Sequence, residues 1–430
     1  MRPPAPWAIL DVDLARPLEA LRAPPEASGI LVVFRFRGAV LGFGSLLPCE
    51  LPLSTGELAR FSARTVAPIA ADWLRIGNGY DTPATGVRSQ RTADVDPLLT
   101  GSVLGRLDRV FAERRTRPAQ HTASIVICTR GRPDALEGCL TSVAPEIARG
   151  REVLVVDNGP DPQTEAVVRR IEGARYIPEP RPGLSVARNT GIAAATGEIV
   201  LFVDDDVRPE PGWADALVQA FDHEAVAVAC GLVLPDALEE EAQIAFQYDL
   251  GFGGMGLVPL RFDESFLQGW HRGVPVWEVG AGANMAVRRS TVLRLGGFDE
   301  RIGPGAAGGC GDDSEFWHRA LFNGATIHYE PLSIVRHQHR RQWDDLARQA
   351  YGYGFGHVVA LFAQSARDGD PGDLARTFLT MPSWYAGRLR RAPRRWLLGE
   401  PDRLLWSEIR GYLSGVSRFR LFVDAFRRKR

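Results

Sequence analysis

Lysine is almost missing from this 430-residue chain, since only Lys429 among the 51 basic residues is not an arginine. Any phosphate that a cationic side chain holds is therefore held by arginine, whose planar guanidinium suits bidentate contacts. Acidic residues number 52, which leaves a net charge of −1. This balance excludes a globally basic nucleic-acid binder.

Cysteines and long apolar runs are also scarce. The five cysteines lie far apart without a C-x-x-C pair, which argues against a disulfide framework or a cysteine zinc site and favours a reducing compartment. No run of about 18 apolar residues occurs, so we predict no transmembrane helix. The first residues, MRPPAPWAILDVDLARP, contain too short an apolar stretch for a signal peptide. We therefore expect a cytoplasmic protein.

The chain is long enough for two or three domains, and its composition changes twice. Residues 1–118 predict a small α+β module, because GILVVFRFRGAVLGFGSLL has the pattern of a half-buried β-hairpin and a helix begins near Ser54. The polar stretch AERRTRPAQHT, ending at Thr122, has the composition of a linker.

Residues 123–345 have the texture of an α/β domain. The apolar runs SIVIC, REVLVV and EIVLFV alternate with helical stretches, which predicts βαβ units and a mostly parallel sheet flanked by helices. Ligands bind at the carboxyl ends of strands in such sheets. Thr129, Asp157 and Asp204 each directly follow one of these runs, so we expect them at one edge.

Three adjacent carboxylates, Asp204 to Asp206, close the third run. They repel one another unless a cation lies among them, and hard oxygen ligands favour Mg²⁺ or Mn²⁺, which also take phosphate ligands. A solvated acidic turn is the simpler alternative. The position of the cluster at the expected ligand edge favours the metal.

Five motifs in order resemble the family-2 glycosyltransferases of GT-A fold over about residues 123–345: SIVICTRGRPDAL, VLVVDNG, GLSVARNTGIAAATGEIVLFVDDD, VGAGANMAVRRSTVLRLGGFDE and GDDSEFWHRAL. The resemblance implies an inverting transfer from a nucleoside-diphosphate sugar, with a UDP-sugar favoured, to a glycan or lipid-linked acceptor. It also implies Mn²⁺ or Mg²⁺ as cofactor and a place in bacterial cell-surface polysaccharide or glycolipid synthesis.

On the donor side the resemblance implies contacts with the nucleotide-sugar by Thr129, Arg130, Asp157, Arg188, Asp204, Asp205, Gly282 and Asn284. Arg188 lies near the donor phosphates or supports the site. Asp204 and Asp206 form the D-x-D motif, and His337 completes the metal shell. A buried structural role for His337, with His339 as the ligand instead, stays open.

On the acceptor side, Asp312 and Asp313 occupy the position that activates the acceptor. A sugar hydroxyl is a poor nucleophile at neutral pH, so a carboxylate must accept its proton. We expect Asp313 to be this base and Asp312 to cap the helix that follows. Glu315 and Trp317 would hold the acceptor, although Glu315 has an equally good interpretation as an acid on the helix surface.

Residues 346–430 predict a basic, amphipathic helical region. Its last 50 residues carry a surplus of nine positive charges with tryptophans interleaved. Such a stretch can lie on an anionic membrane or pack its apolar face on the protein. The run AYGYGFGHVV, from Ala350 to Val359, likewise fits either close helix packing or a face that meets a lipid or sugar acceptor.

Two other functions remain as alternatives. A sugar-nucleotide nucleotidyltransferase also uses a parallel sheet and magnesium, but it needs a glycine-rich loop with a basic residue where this chain has CTRGRPD. A non-catalytic membrane-surface or assembly module would require the loss of metal-binding or base carboxylates. The sequence retains both sets.

Overall fold

The computed structural model describes residues 4–77, 102–251, 256–397 and 402–427. Three strands form an N-terminal sheet: β1 Trp7–Asp13, β2 Gly29–Phe36 and β3 Ala39–Leu46. Nine strands form the central sheet: β4 Ala123–Thr129, β5 Glu152–Asp157, β6 Ala174–Pro178, β7 Ile199–Asp204, β8 Val207–Pro209, β9 Val226–Pro235, β10 Leu260–Phe262, β11 Asn284–Arg288 and β12 Thr326–His337.

The helices that precede or flank the central sheet are α1 Thr55–Ile76, α2 Ser102–Thr116, α3 Pro133–Ala148, α4 Pro162–Arg169, α5 Leu184–Ala194, α6 Trp213–Gln219, α7 Glu241–Ala245, α8 Glu264–Gln268, α9 Arg289–Arg294 and α10 Asp312–Phe322. The C-terminal helices are α11 Trp343–Asp368, α12 Pro371–Ala375, α13 Met381–Leu397, α14 Leu405–Ser417 and α15 Phe419–Arg427.

The predicted N-terminal hairpin and helix are both present. Strands β2 and β3 pair antiparallel, and Ser54 and Glu57 form a capping box at the start of α1. Strand β2 is almost wholly buried, however, where we expected a half-buried strand. One face packs against the core that includes Trp73, and the other packs against Leu238 and its neighbours from the central region.

The predicted linker is wrong in its first part, because residues 112–116 belong to α2. The guanidinium of Arg114 lies 3.0 Å from the Glu330 carboxylate, and both side chains are almost fully buried. The indole of Trp73 donates a hydrogen bond of 2.8 Å to the carbonyl of Leu257. These buried polar contacts fix the N-terminal module against the central sheet.

The central sheet has the strand order β10-β12-β9-β11-β7-β4-β5-β6, with β8 paired to β12. The predicted α/β class, with flanking helices and a helical C-terminal region, is confirmed. The sheet is more mixed than expected: β7, β4, β5 and β6 are mutually parallel, whereas β8, β10 and β11 pair antiparallel with their neighbours. The parallel half carries the strand ends that the sequence marks as polar.

Three of those strand ends meet at one edge, as predicted. In the sheet register, Thr129 of β4 is opposite Asp157 of β5, and Cys128 is opposite Asp204 of β7. Because adjacent parallel strands end together, their terminal side chains share a surface. This edge is the first half of the candidate site.

The C-terminal helices pack tightly on one another. A Cβ atom added at Gly354 of α11 would overlap the carbonyl of Glu408, and one at Gly411 of α14 would overlap the carbonyl of Tyr351. The aromatic–glycine run therefore serves close helix packing, one of the two interpretations left open. Within the described residues, no helix combines the length and apolar character needed to cross a bilayer.

Candidate active site

The end of β4 contacts the three-carboxylate turn directly. The hydroxyl of Thr129 donates a hydrogen bond of 2.8 Å to Asp205 Oδ2. Arg132 Nη1 donates to Asp205 Oδ1 and to Asp206 Oδ2, each at 3.0 Å. Burial raises the pKa of Asp205, the Asp206 charge adds to this effect, and Arg132 opposes it. Asp205 thus ties the turn to β4.

Asp157 has one satisfied and one unsatisfied carboxylate oxygen. Its Oδ2 accepts hydrogen bonds of 2.9 Å from the Tyr176 hydroxyl and from the backbone N–H of Asp161. Its Oδ1 is buried and has no hydrogen-bond partner among the described residues. A buried acceptor without a donor is costly, so a ligand donor such as a base or ribose group would be favoured there.

Arg130 and Arg188 occupy different surroundings. Arg130 is exposed, and its side chain passes beside Gly159 towards Gly305. Arg188 is 3% exposed, forms an ion pair with Asp312, and lies 3.8 Å from Asp204 Oδ1. Arg188 therefore joins the end of β7 to the start of α10. These contacts favour a role in supporting the site over a direct contact with the donor phosphates.

Aromatic rings hold Arg188 in this position, and the carboxylates beside it respond to its charge. The guanidinium carbon lies 5.7 Å and 5.3 Å from the ring centroids of Phe202 and Phe298. Burial raises the pKa of Asp204 and of Asp312, and Arg188 opposes the rise in both. The buried Arg188 cation thus favours the charged forms of Asp204 and Asp312 and reduces the repulsion between them.

Asp206 and His337 come together because β8 pairs with β12. Val207 is opposite His337, and the backbone N–H of Gln338 donates to the Asp206 carbonyl at 2.9 Å. This pairing places His337 Nε2 3.6 Å from Asp206 Oδ1. Burial lowers the pKa of His337, which favours the neutral imidazole that a metal ion requires.

The donor set at this point consists of one carboxylate and one imidazole. Asp204 faces Arg188 instead, and in the described part of the chain no three His, Cys, Asp or Glu side chains converge as a metal cluster. Mg²⁺ and Mn²⁺ sites commonly use one or two protein ligands and complete the shell with water and substrate phosphate oxygens. The Asp206–His337 pair fits that pattern.

The start of α10 forms the opposite side of the site. Gly311 is the N-cap residue and Asp312 is the first helical residue, so the predicted cap role of Asp312 is wrong. Asp313 is half-buried and accepts hydrogen bonds from the backbone N–H groups of Gly282 at 3.2 Å and Ser314 at 2.7 Å. A Cβ atom at Gly282 would lie 3.0 Å from Asp313 Oδ2, so only glycine allows this contact without a shift.

The structure places three of the predicted contact residues in the interior, and we correct their roles accordingly. Asn284 is fully buried and donates to the carbonyls of Leu232 and Ser333 at 3.1 and 3.0 Å, so its amide is already committed within the sheet. Glu315 is fully buried against Arg319 and Arg367. Trp317 is fully buried and donates to Met285 Sδ at 3.2 Å. All three side chains are buried, and each has polar partners within the protein.

Two sequence comparisons bear on this arrangement. Residues 124–247 match the family described as Glycosyl transferase family 2. Residues 199–425, more than half of the chain, match the one described as Glycosyl transferase family group 2. The chain belongs to glycosyltransferase family 2. The predicted resemblance is confirmed, and it extends beyond residue 345 into the C-terminal helices.

Individual relatives of this family-2 chain come from several organisms. The pre-mycofactocin glycosyltransferase of Mycobacterium tuberculosis is 30% identical over 341 residues, covering 77% of this chain and 62% of that protein. The glucosyl-dolichyl phosphate glucuronosyltransferase of Haloferax volcanii is 23% identical, over 57% of this chain and 80% of that protein. The chain therefore spans about 62% of the length of the mycobacterial relative.

Among solved structures, a mannosyltransferase from Pyrobaculum calidifontis in complex with GDP-Man and Mn²⁺ aligns over 74% of this chain and 96% of its own. Its sequence identity is 18% and its TM-score is 0.47.

Sequence reasoning missed several polar residues in this family-2 site. Arg132 contacts Asp205 and Asp206, and Arg340 Nη2 lies 3.5 Å from Asp206 Oδ2. Both follow strand ends by three residues, so the strand-end rule that placed Thr129 at the ligand edge would have found them if it had been extended to the next few residues. Tyr176 carries no comparable signal, because its contact with Asp157 depends on the pairing of β5 with β6.

Proposed function

We propose that this family-2 chain is an inverting glycosyltransferase that moves a sugar from a nucleoside-diphosphate sugar to a hydroxyl of a glycan or lipid-linked acceptor. The observation that carries the proposal is the Asp206–His337 pair at the ligand edge of the sheet. Asp313 lies at the start of α10, beside Gly282 and Arg188. In this proposal residues 123–345 are the catalytic domain, residues 1–118 a supporting module and residues 346–430 the helical region.

The donor contacts follow from the strand ends. The unsatisfied Oδ1 of Asp157 would accept a hydrogen bond from the base or ribose, next to the buried Thr129. Exposed Arg130 and half-exposed Arg132 supply the positive charge for a diphosphate. The ring N–H groups of uracil, thymine and guanine can all donate to a buried carboxylate, and among these donors we propose a UDP-sugar.

Asp206 and His337 would hold a divalent Mn²⁺ or Mg²⁺, with Asp204 at the same edge. When bound, the ion would neutralise charge that develops on the leaving diphosphate. Arg132 and Arg340, which compensate Asp206 in this structure, would remain beside the phosphates as additional cations.

Asp313 would accept the proton of the attacking hydroxyl. Its two backbone hydrogen bonds fix the carboxylate orientation, and its partial exposure leaves it accessible from the acceptor side. Asp312 acts differently, because its ion pair with Arg188 holds the start of α10 in place. Attack from the side opposite the leaving diphosphate inverts the anomeric centre.

The C-terminal helices would bring the enzyme to an anionic membrane surface, where lipid-linked acceptors lie. Leu389 and Trp396 of α13, and Trp406 and Leu413 of α14, are exposed pairs seven residues apart, so each pair shares one helix face. Arg391 and its exposed neighbours flank these side chains. The name of the Haloferax volcanii relative includes a dolichyl phosphate lipid, which supports an acceptor of this class.

A donor-hydrolysis screen tests the proposed function. Purified chain is incubated with UDP-, GDP- and dTDP-sugars in the presence of Mn²⁺, and release of nucleoside diphosphate is measured. We expect slow, metal-dependent hydrolysis of one nucleotide class. Release of nucleoside monophosphate with sugar 1-phosphate, or formation of nucleoside triphosphate when pyrophosphate is added, would indicate nucleotidyl chemistry and contradict the proposal.

A further inference from the structure

A chain of hydrogen bonds runs behind the proposed metal ligand. His337 Nδ1 lies 2.8 Å from His339 Nδ1, and His339 Nε2 lies 3.0 Å from Gln247 Oε1. The other ring nitrogen of His337, Nε2, faces Asp206 at 3.6 Å. This series of contacts thus runs from Asp206 through the rings of His337 and His339 to the side chain of Gln247.

Packing fixes the orientation of both rings. Residues His337 and His339 are 6% and 4% exposed, and the ring of Phe246 lies against both, with centroid distances of 6.0 and 4.5 Å. Phe246 and Gln247 belong to one turn of π-helix, residues 246–250, which continues directly from α7. Single π-helical turns in proteins are frequent at functional sites.

The protons of this chain can be arranged in two directions only. The contact between two Nδ1 atoms needs one proton, which either His337 or His339 supplies. If His337 Nδ1 carries it, His339 accepts, its own proton lies on Nε2, and the Gln247 oxygen accepts that proton. His337 Nε2 then carries no proton, and its lone pair faces Asp206. In the reverse direction Nε2 is protonated and cannot bind a metal ion.

We propose that His339 and Gln247 are positioning residues that hold His337 as its Nδ1–H tautomer, with the Nε2 lone pair ready for a divalent cation. The inference deepens the proposed function and rests on it, since a glycosyltransferase without a metal would not need this tautomer. Partners of this kind, which hydrogen-bond the second nitrogen of a metal-binding histidine, typically change metal affinity about 10- to 100-fold when removed.

The first test measures the tautomer directly, without substrate or metal. The full chain contains eight histidines, so long-range ¹⁵N–¹H spectra of histidine-labelled protein are tractable, and the His337→Gln variant assigns the signal. We expect the Nδ1–H tautomer for His337 in the wild type and a shift towards Nε2–H in Gln247→Leu, where Asp206 is the remaining acceptor. An Nε2–H tautomer in the wild type would overturn the inference.

The second test measures Mn²⁺ affinity by electron paramagnetic resonance in the presence of UDP. Gln247→Leu removes the acceptor and should weaken Mn²⁺ binding at least tenfold. Gln247→Glu keeps an acceptor at the same place and should bind Mn²⁺ within about twofold of the wild type. If Gln247 served only to fill space, the two variants would not differ. Gln338→Leu, an exposed glutamine between the two histidines, is the matched control and should not change the affinity.

The outcomes separate this inference from the proposed function. Wild-type binding of Mn²⁺ with an unchanged affinity in Gln247→Leu overturns the positioning role and leaves the metal site in place. Failure of the wild type to bind Mn²⁺ with UDP removes the metal site itself, and the positioning role with it. Equal weakening in Gln247→Leu and Gln247→Glu also overturns the inference, because it shows that packing rather than hydrogen bonding matters.

Discussion

The two sides of the candidate site are built in different ways. The donor side consists of residues within three positions of a strand end. Thr129 donates a hydrogen bond to Asp205, and Arg132 donates one to Asp206. The proposed acceptor side consists of Asp313 at the start of α10, and the position of Asp313 depends on α11, a helix that lies further along the chain. A Cβ atom at Gly356 of α11 would overlap the carbonyl of Cys310, immediately before that start.

Because the two sides are built differently, substitutions on them should have separable effects. Changes on the donor side remove ligand contacts and should appear as lost binding of nucleotide or metal. Changes on the acceptor side, including those in α11, move or remove the base and should appear as lost turnover. Arg188 joins the two sides through Asp204 and Asp312, so its ion pairs mark the boundary between them.

The largest effect is expected on the donor side. Asp206→Ala removes the carboxylate that faces His337, so the Mn²⁺-dependent part of the UDP affinity should disappear. Calorimetric titration of UDP with and without Mn²⁺ measures it. The exposed Asp108→Ala on α2 is the control and should bind like the wild type. Undiminished Mn²⁺-dependent binding in Asp206→Ala would remove the metal assignment.

The next effect separates two neighbouring acids. Asp313→Asn keeps the size of the side chain but cannot accept a proton, so turnover should fall about 100-fold or more with donor affinity little changed. Asp312→Asn weakens a buried ion pair with Arg188 and should lower the Tm by several degrees. Steady-state donor hydrolysis and thermal unfolding of both variants provide the comparison.

The two acids would exchange roles if Asp312→Asn were inactive and fully stable while Asp313→Asn retained normal turnover. Normal turnover in both variants would contradict base catalysis at this position altogether.

Substitutions of two glycines on α11 test whether this helix positions Asp313. Gly356→Ala forces α11 and the backbone at Cys310 apart, so turnover should fall about tenfold through misplacement of Asp313, with UDP binding retained. Gly352→Ala, one turn earlier, meets only the Cys310 sulfur at 3.2 Å and should be tolerated. Equal turnover in the two variants, measured by donor hydrolysis, would show that α11 does not position the base.

The smallest expected effect concerns the exposed face of the C-terminal helices. Trp396→Ala combined with Trp406→Ala should reduce sedimentation with anionic phospholipid vesicles severalfold, because both indoles are more than 60% exposed and available for the bilayer surface. Trp270→Ala, an exposed tryptophan outside these helices, is the control. Binding that neither the double variant nor added salt weakens would show that these tryptophans and the positive charge do not hold the protein on the vesicles, and would contradict the role proposed for this face of the C-terminal helices.

The donor side could be predicted from sequence because its signals are local. Apolar strands ending in Thr129, Asp157 and Asp204 need only the rule that parallel strands end together. The burial of Asn284, Glu315 and Trp317 could not be predicted in this way, because it depends on how α10 and β11 pack against their neighbours. The His337–His339–Gln247 chain likewise joins segments about 90 residues apart, and no spacing in the sequence indicates it.

The stereochemistry of donor hydrolysis tests most directly the claim that Asp313 acts from the side opposite the leaving diphosphate. The sugar released from an α-linked nucleotide donor is observed by ¹H NMR before its anomers equilibrate. The account predicts that the β-anomer appears first, with the rate lowered about 100-fold in Asp313→Asn. First appearance of the α-anomer would mean retention of configuration and would contradict direct displacement at this site.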